Sequence, residues 1–156
     1  MADLSGLILA SLRERGAIHE EKGINPEGYA ALQLAYLGDT VFDLYVRSRL
    51  VMGTNDSMKQ LHFTASSIVN AHSQSRAITR LIPELSEEEE RVVKHARNHK
   101  ALTVPKNMSV GDYKWATGFE ALIGYLYLSE QNERLLWLLE RAWDVINEES
   151  GDSEHE

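Results

Sequence analysis

Residues 36–45 read YLGDTVFDLY. The run is mostly apolar, contains no proline and sits inside a longer stretch with a helical pattern, yet it carries two aspartates. Asp43 lies one turn before Arg47, so those two read as an exposed i, i+4 pair worth little to stability. Asp39 is the odder residue. A carboxylate among apolar neighbours is costly unless something matches its charge. Either a basic side chain (Arg47, Arg49 or Lys114) or a metal ion must do so, and the residues alone leave both open.

The same pattern recurs at residues 118–128, GFEALIGYLYL, where Glu120 is the lone acid. Helices apolar on nearly every face belong in the centre of a bundle, so residues 30–46 and 116–128 are expected to pack there. Gly38 and Gly124 interrupt these helices at a cost of about 1 kcal/mol each relative to alanine. Close approach of two helices explains them and would bring Asp39 and Glu120 together. Two facing carboxylates repel unless a cation lies between them or one holds a proton. Mg²⁺ needs only one or two carboxylates besides water and substrate phosphates, so the pair suffices chemically for a magnesium site.

Working outward, strand signals are scarce and helix signals dominate. A short amphipathic helix is expected over residues 4–15, ending at Gly16. Asn25-Pro26 reads as an N-cap and first turn for a helix from Pro26 to about Met52. Asp56 or Ser57 opens a helix running to Ile82 with Pro83 closing it, and Ser86 with Glu89 forms a capping box for Glu87 to about Asn98. LTVPKNMSVG is a loop. Ser109 or Asp112 opens the next helix, and Asn132 the last. The expected architecture is all-α, a bundle of six to seven helices, with residues 1–149 as one domain and an acidic, disordered tail at 150–156.

The chain of 156 residues has no cysteine, which rules out disulfides and thiolate metal sites and fits a reducing compartment, the cytoplasm. Its start lacks a basic leader and a small-residue cleavage site, and no apolar run approaches the roughly 20 residues that span a bilayer. The formal charge of −8 argues against an anionic partner only on average. Ten acids fall in PELSEEEE (83–90) and in the tail from Glu148, and without them −8 becomes +2. Between Arg91 and Gly111 there is no acid, but Arg91, Lys94, Arg97, Lys100 and Lys106 are present. Screening confines fields to about 10 Å at ordinary salt, so such a stripe can bind polyanions on an acidic protein. Helix-end preference for basic residues covers Lys94, Arg97 and Lys100 but not Lys106, Asn107 or Lys114. The stripe is therefore assigned to nucleic-acid phosphates, with Lys94, Arg97, Asn98, Lys100, Lys106 and Asn107 as contacts.

Other chemistries lack their residues. His95 and His99 have the spacing of a zinc helix, but the glutamate of HExxH is missing and the setting is basic, which favours contact with phosphate or base. His62 and His72 read as helix-face residues. No Ser-His-Asp arrangement, phosphate-cradling loop or Glu-x-x-His pair is present, which disfavours nucleophilic catalysis and a di-iron or zinc bundle.

LAYLGDTVFDLYVR (34–47), the Leu61-His62 of KQLHFTAS, ARNHKALTVPKN (96–107) and DYKWATGFEALIGYLYL (112–128) resemble, in this order and spacing, Mini-ribonuclease III. These are short bacterial relatives of ribonuclease III that lack its double-stranded-RNA-binding domain. The resemblance covers about residues 26–140. It implies the ribonuclease III endonuclease fold, a homodimer, cleavage of double-stranded RNA with Mg²⁺, and maturation of the ends of the 23S ribosomal RNA precursor. Asp39 and Glu120 match the family's catalytic, metal-binding aspartate and glutamate. Full-length ribonuclease III enzymes carry two further acids where this chain has Ala35 and Thr117, so the resemblance implies a reduced site in which Thr117 can only hydrogen-bond. The alternative is a non-catalytic RNA- or ribosome-binding module of the same fold.

Overall fold

The computed structural model describes residues 4–19 and 29–152. Among them are seven α-helices: α1 (Leu4–Glu14), α2 (Ala31–Gly53), α3 (Met58–Ile68), α4 (Ala71–Leu81), α5 (Glu87–Arg97), α6 (Val110–Leu128) and α7 (Asn132–Asp152), with a 3₁₀ turn at Ile82–Glu84. No strand occurs among the described residues. The all-α expectation holds.

Helix α6 is the axis of the molecule. Residues 116–119 and 121–126 are all buried, and α2, α4 and α5 pack around them. Helix α2 is different. It buries one stripe, Ala31, Leu34, Ala35, Gly38, Phe42, Val46 and Leu50, and leaves its other face in solvent. The expectation that both apolar helices are central thus holds for α6 and fails for α2. The two meet along that stripe, where the rings of Phe42 and Phe119 pack edge to face at 5.1 Å. Gly38 and Gly124 are where the backbones touch. A Cβ on Gly38 would strike the carbonyl of Glu120, and one on Gly124 the carbonyl of Leu34. Gly118 likewise admits the Val93 carbonyl of α5, which a Cβ would meet at 2.7 Å.

Several boundaries follow the expected signals. Gly16, at φ +64°, ends α1, with the Ala17 amide donating to the Leu12 carbonyl. Ser57, Ser86 and Ser109 each accept from an amide three residues on, capping α3, α5 and α6. Others differ. The start at Asn25-Pro26 lies outside the described residues, and α2 begins at Ala31, after an extended Ala30. The helix expected from 57 to 82 is two, because Asn70 leaves helical geometry (φ −151°) and its side chain accepts from the Ser73 amide to cap α4. Helix α7 runs to Asp152, so residues 150–152 of the expected disordered tail are helical, and 153–156 lie outside the described residues.

One buried ion pair ties α5 to α7. Glu89, 5% exposed, accepts from Arg134 Nε at 2.8 Å and Nη2 at 2.9 Å while also closing the Ser86 capping box. Burial works to raise the Glu89 pKa, but Arg134 and the Ser86 amide together hold it below the ordinary carboxylate range. A carboxyl with a depressed folded pKa contributes stability above its unfolded pKa and loses it as pH falls through the folded value. Glu89→Gln is expected to lower unfolding stability by about 2 kcal/mol at pH 7. In urea titrations, the gap from wild type should narrow as pH falls below the ordinary carboxylate range. A gap constant from pH 7 down to acid unfolding would refute this.

Candidate active site

Asp39 follows Gly38 on α2, about 100° around the helix from the buried stripe. That step puts it at the rim of the α2–α6 contact, and it is exposed. The expectation of a buried aspartate is corrected: the more buried member of the pair is Glu120. Glu120 is half-buried on α6, between the buried Phe119 and Ala121. Its pKa is pushed up to about 9, first by burial, then by the negative charge of Asp39 and a hydrogen bond between the two carboxyl groups. The two acids that sequence reading paired are therefore in direct contact.

Neither acid has a basic partner among the described residues. Arg47 is engaged with Asp43 at 3.0 Å. Arg49 donates to the Tyr45 hydroxyl and stacks on Trp143. Lys114 forms no ion pair among the described residues. The salt-bridge explanation of Asp39 thus lacks its cation.

The acids line an open cleft of about 360 Å³. Helix α2 supplies Leu32, Ala35, Tyr36 and Asp39, helix α6 supplies Tyr113, Thr117 and Glu120, and residues 101–103 form a third wall. Both helical sets repeat at three or four residues, as one face of a helix requires. That spacing was visible in the sequence, yet Tyr36, Tyr113 and Thr103 were not singled out. Tyr36 is 84% exposed beside Asp39. Thr117 donates its hydroxyl to the Tyr113 carbonyl at 2.8 Å, leaving it only oxygen lone pairs to offer the cleft.

The donor set fits a hard divalent cation. Two carboxylates in contact, without a basic partner, offer hard oxygens, and an open cleft leaves room for waters and a phosphate. No group of three or more His, Asp or Glu side chains placed to hold a metal ion occurs among the described residues.

The basic segment is placed less uniformly than its composition implies. It leads into the third wall of the cleft, and Lys100 and Lys106 are exposed and without an ion pair among the described residues. Lys94 is instead paired with Glu90 at 2.7 Å. Arg97 stacks on Trp115 with its Cζ 4.4 Å from the ring centroid and donates from Nε to Asn98 Oδ1 at 3.0 Å. Asn107 takes φ +66°, a left-handed turn conformation that asparagine tolerates. His95 and His99 meet edge to face at 6.5 Å, and His99 Nδ1 accepts from the Ala101 amide. His72, expected only as a helix-face residue, stands 3.0 Å from Asp112 and joins α4 to the start of α6.

A helical fold in which one central helix and one flanking helix juxtapose a glutamate and an aspartate defines a ribonuclease III-type nuclease domain, and residues 32–131 match the family described as Ribonuclease III domain. Within that class the chain belongs to the mini-ribonuclease 3 family. It is 40% identical to the mini-ribonuclease 3 of a Thermoanaerobacter species over 136 residues, covering 85% of this chain and 96% of that one. The Symbiobacterium thermophilum protein is 42% identical over 122 residues (78% and 94% covered), and that of Brevibacillus brevis 40% over 131 (84% and 98%). The X-ray crystal structure of a Fusobacterium nucleatum protein, 32% identical, superposes with a TM-score of 0.65 over 72% of this chain and 89% of that one. The chain is accordingly an endoribonuclease of the ribonuclease III type.

Proposed function

We propose that the chain hydrolyses double-stranded RNA at the Asp39–Glu120 cleft, with Mg²⁺ held between the two carboxylates. The observation that carries this reading is their contact in an open cleft, with no basic partner for either among the described residues. When bound there, Mg²⁺ would polarise the scissile phosphate and lower the pKa of a water. The chain's own residues do the rest. Gly38 and Gly124 hold α2 against α6, which fixes the spacing of the two acids. Asp39 and Glu120 would hold the ion, and Glu120 would have to be without its proton to do so, so binding would strengthen as pH rises. Residues 101–103 bound the space that the RNA backbone enters.

Recognition rests on shape, phosphates and 2′-hydroxyls across the wide minor groove of A-form RNA. Lys100 and Lys106 are the basic residues of the stripe best placed for phosphates, being exposed and unpaired among the described residues. Charge reversal at Lys106 is expected to weaken RNA binding about tenfold and to flatten the plot of log K against log salt by about one. Unchanged affinity and slope would remove Lys106 from the interface.

The resemblance supports three finer assignments: a homodimer, the 23S ribosomal RNA precursor as substrate, and a cytoplasmic setting. Apolar residues left exposed on α2 (Leu44, Val51, Met52) and α3 (Met58, Phe63) support self-association, with Val51 and Met58 lining one pocket. No helix among the described residues is long and apolar enough to cross a membrane. The test of the whole reading is cleavage of a long double-stranded RNA in Mg²⁺ and in EDTA. Cutting in Mg²⁺ alone is expected. Binding without cutting in either Mg²⁺ or Mn²⁺ would leave the non-catalytic RNA-binding alternative.

A further inference from the structure

We infer that Arg97 is a positioning residue for the cleft, clamped on Trp115, and not principally a contact for RNA phosphate. The inference rests on the cleft being the site of cleavage. Helices α5 and α6 run antiparallel in contact, with the Val93 carbonyl seated on Gly118. One turn further along α5 and three residues back along α6, the guanidinium of Arg97 covers the indole of Trp115 at 4.4 Å. Arg97 is the last residue of α5, and the segment that leaves it supplies Ala101, Leu102 and Thr103 to the cleft. Trp115 lies on α6 two residues from both Tyr113 and Thr117, on the face roughly opposite these cleft residues, so the stack acts on the cleft through α6 itself. The stack thus joins the root of the loop to the helix that carries Glu120.

The hydrogen bonds described within the loop are local: the Asn98 amide reaches the Lys94 carbonyl, the His99 amide the Ala96 carbonyl, the Leu102 amide the His99 carbonyl, and the Ala101 amide His99 Nδ1. At its far end Ser109 caps α6 by accepting from the Asp112 amide. The Arg97 Nε–Asn98 bond extends the clamp by one residue into the loop. A planar guanidinium suits this role and an ammonium does not: it stacks flat on an aromatic face while its edge still donates. Half-burial against Trp115 also explains why an arginine in a basic stripe is turned toward the protein.

The two roles diverge under Arg97→Lys. A phosphate contact keeps its charge in this variant, whereas a stacked clamp loses its plane. Arg97→Lys and Trp115→Leu are each expected to lower kcat/KM about tenfold with its salt dependence unchanged, since neither variant removes a charge from the loop. The double variant should be no slower than the slower single one, since both break one contact. Trp115→Phe keeps an aromatic face and should fall between wild type and Trp115→Leu, which covers the case in which leucine impairs folding. Hydrogen–deuterium exchange on the RNA-free protein should show faster exchange at residues 99–105 in both single variants, with α6 protection intact. A higher KM with a flatter salt slope in Arg97→Ala, and wild-type kinetics in Trp115→Phe and Trp115→Leu, would make Arg97 a phosphate contact and overturn the clamp. Unchanged exchange at 99–105 would overturn it too, whatever the cleavage rates. Failure of wild-type protein to cut would instead sink the cleavage reading, and with it the catalytic consequence of the clamp.

Discussion

Asp39→Asn protein is expected to bind double-stranded RNA with wild-type affinity and to cut it at least about a thousandfold more slowly in saturating Mg²⁺, a loss of about 4 kcal/mol of transition-state stabilisation. Asparagine has nearly the shape of aspartate but brings no charge to a cation. The proposed RNA surface lies elsewhere, on the basic loop, so affinity should stand. Stability should not fall either. Asp39 is exposed and has no basic partner among the described residues, and its negative charge is one of the reasons Glu120 holds its proton. Removing that charge lowers the cost of keeping Glu120 protonated on folding, so the Tm of the variant in EDTA should equal or exceed that of wild type. Glu120→Gln should lose a similar factor, and the double variant little more than either, because the acids act as one unit. Wild-type kcat in Asp39→Asn would end the assignment of this cleft. Loss of RNA binding in step with cleavage would move Asp39 from chemistry to recognition.

The site was more legible than its setting. Asp39 and Glu120 could be paired from sequence because each is a lone acid in an apolar helix, and the two interrupting glycines announced that those helices touch. What one sequence does not carry is angle. Asp39 is next to Gly38, and that single step along the helix separates the buried stripe from the cleft rim. Tertiary partners were equally hidden. Nothing local links Arg97 to Trp115, so composition alone placed Arg97 with the RNA contacts, and the fold turned it inward. The pairing of Lys94 with Glu90 was different: the four-residue spacing was in plain view and was outweighed by the lack of acids after Arg91. The break between α3 and α4 went unseen because apolar residues continue in helical register through Ile68 and Val69. Only the side chain of Asn70, which can sit inside a helix or cap one, decides it.

Gly38→Ala is the substitution with the largest expected effect on the fold, and its sign runs against helix propensity. In an exposed helix, alanine for glycine adds about 1 kcal/mol. Here the new methyl would strike the Glu120 carbonyl and lie 2.9 Å from the Gly124 nitrogen. These obstructing atoms are backbone inside the most buried helix of the protein, so no rotamer change clears them, and α2 must move off α6 as a body. That parts Phe42 from Phe119 and opens the core along the whole stripe. The expected cost exceeds about 3 kcal/mol, enough to lower Tm by about 10 °C in a domain of this size. Gly111→Ala is the control. It lies in the first turn of α6 with nothing nearer than Ser109 Oγ at 3.9 Å, so it should be neutral or slightly stabilising. The atom that blocks a side chain at 38 is the carbonyl of Glu120 itself, and residue 39 is Asp39. Any shift that makes room for a methyl therefore changes the separation of the two carboxylates. Assayed well below its Tm, Gly38→Ala should be both less stable and at least about tenfold slower, whereas Gly111→Ala should be neither. Wild-type stability in Gly38→Ala would mean that the two helices do not meet backbone to backbone, and the close pairing of Asp39 with Glu120 would lose its structural cause.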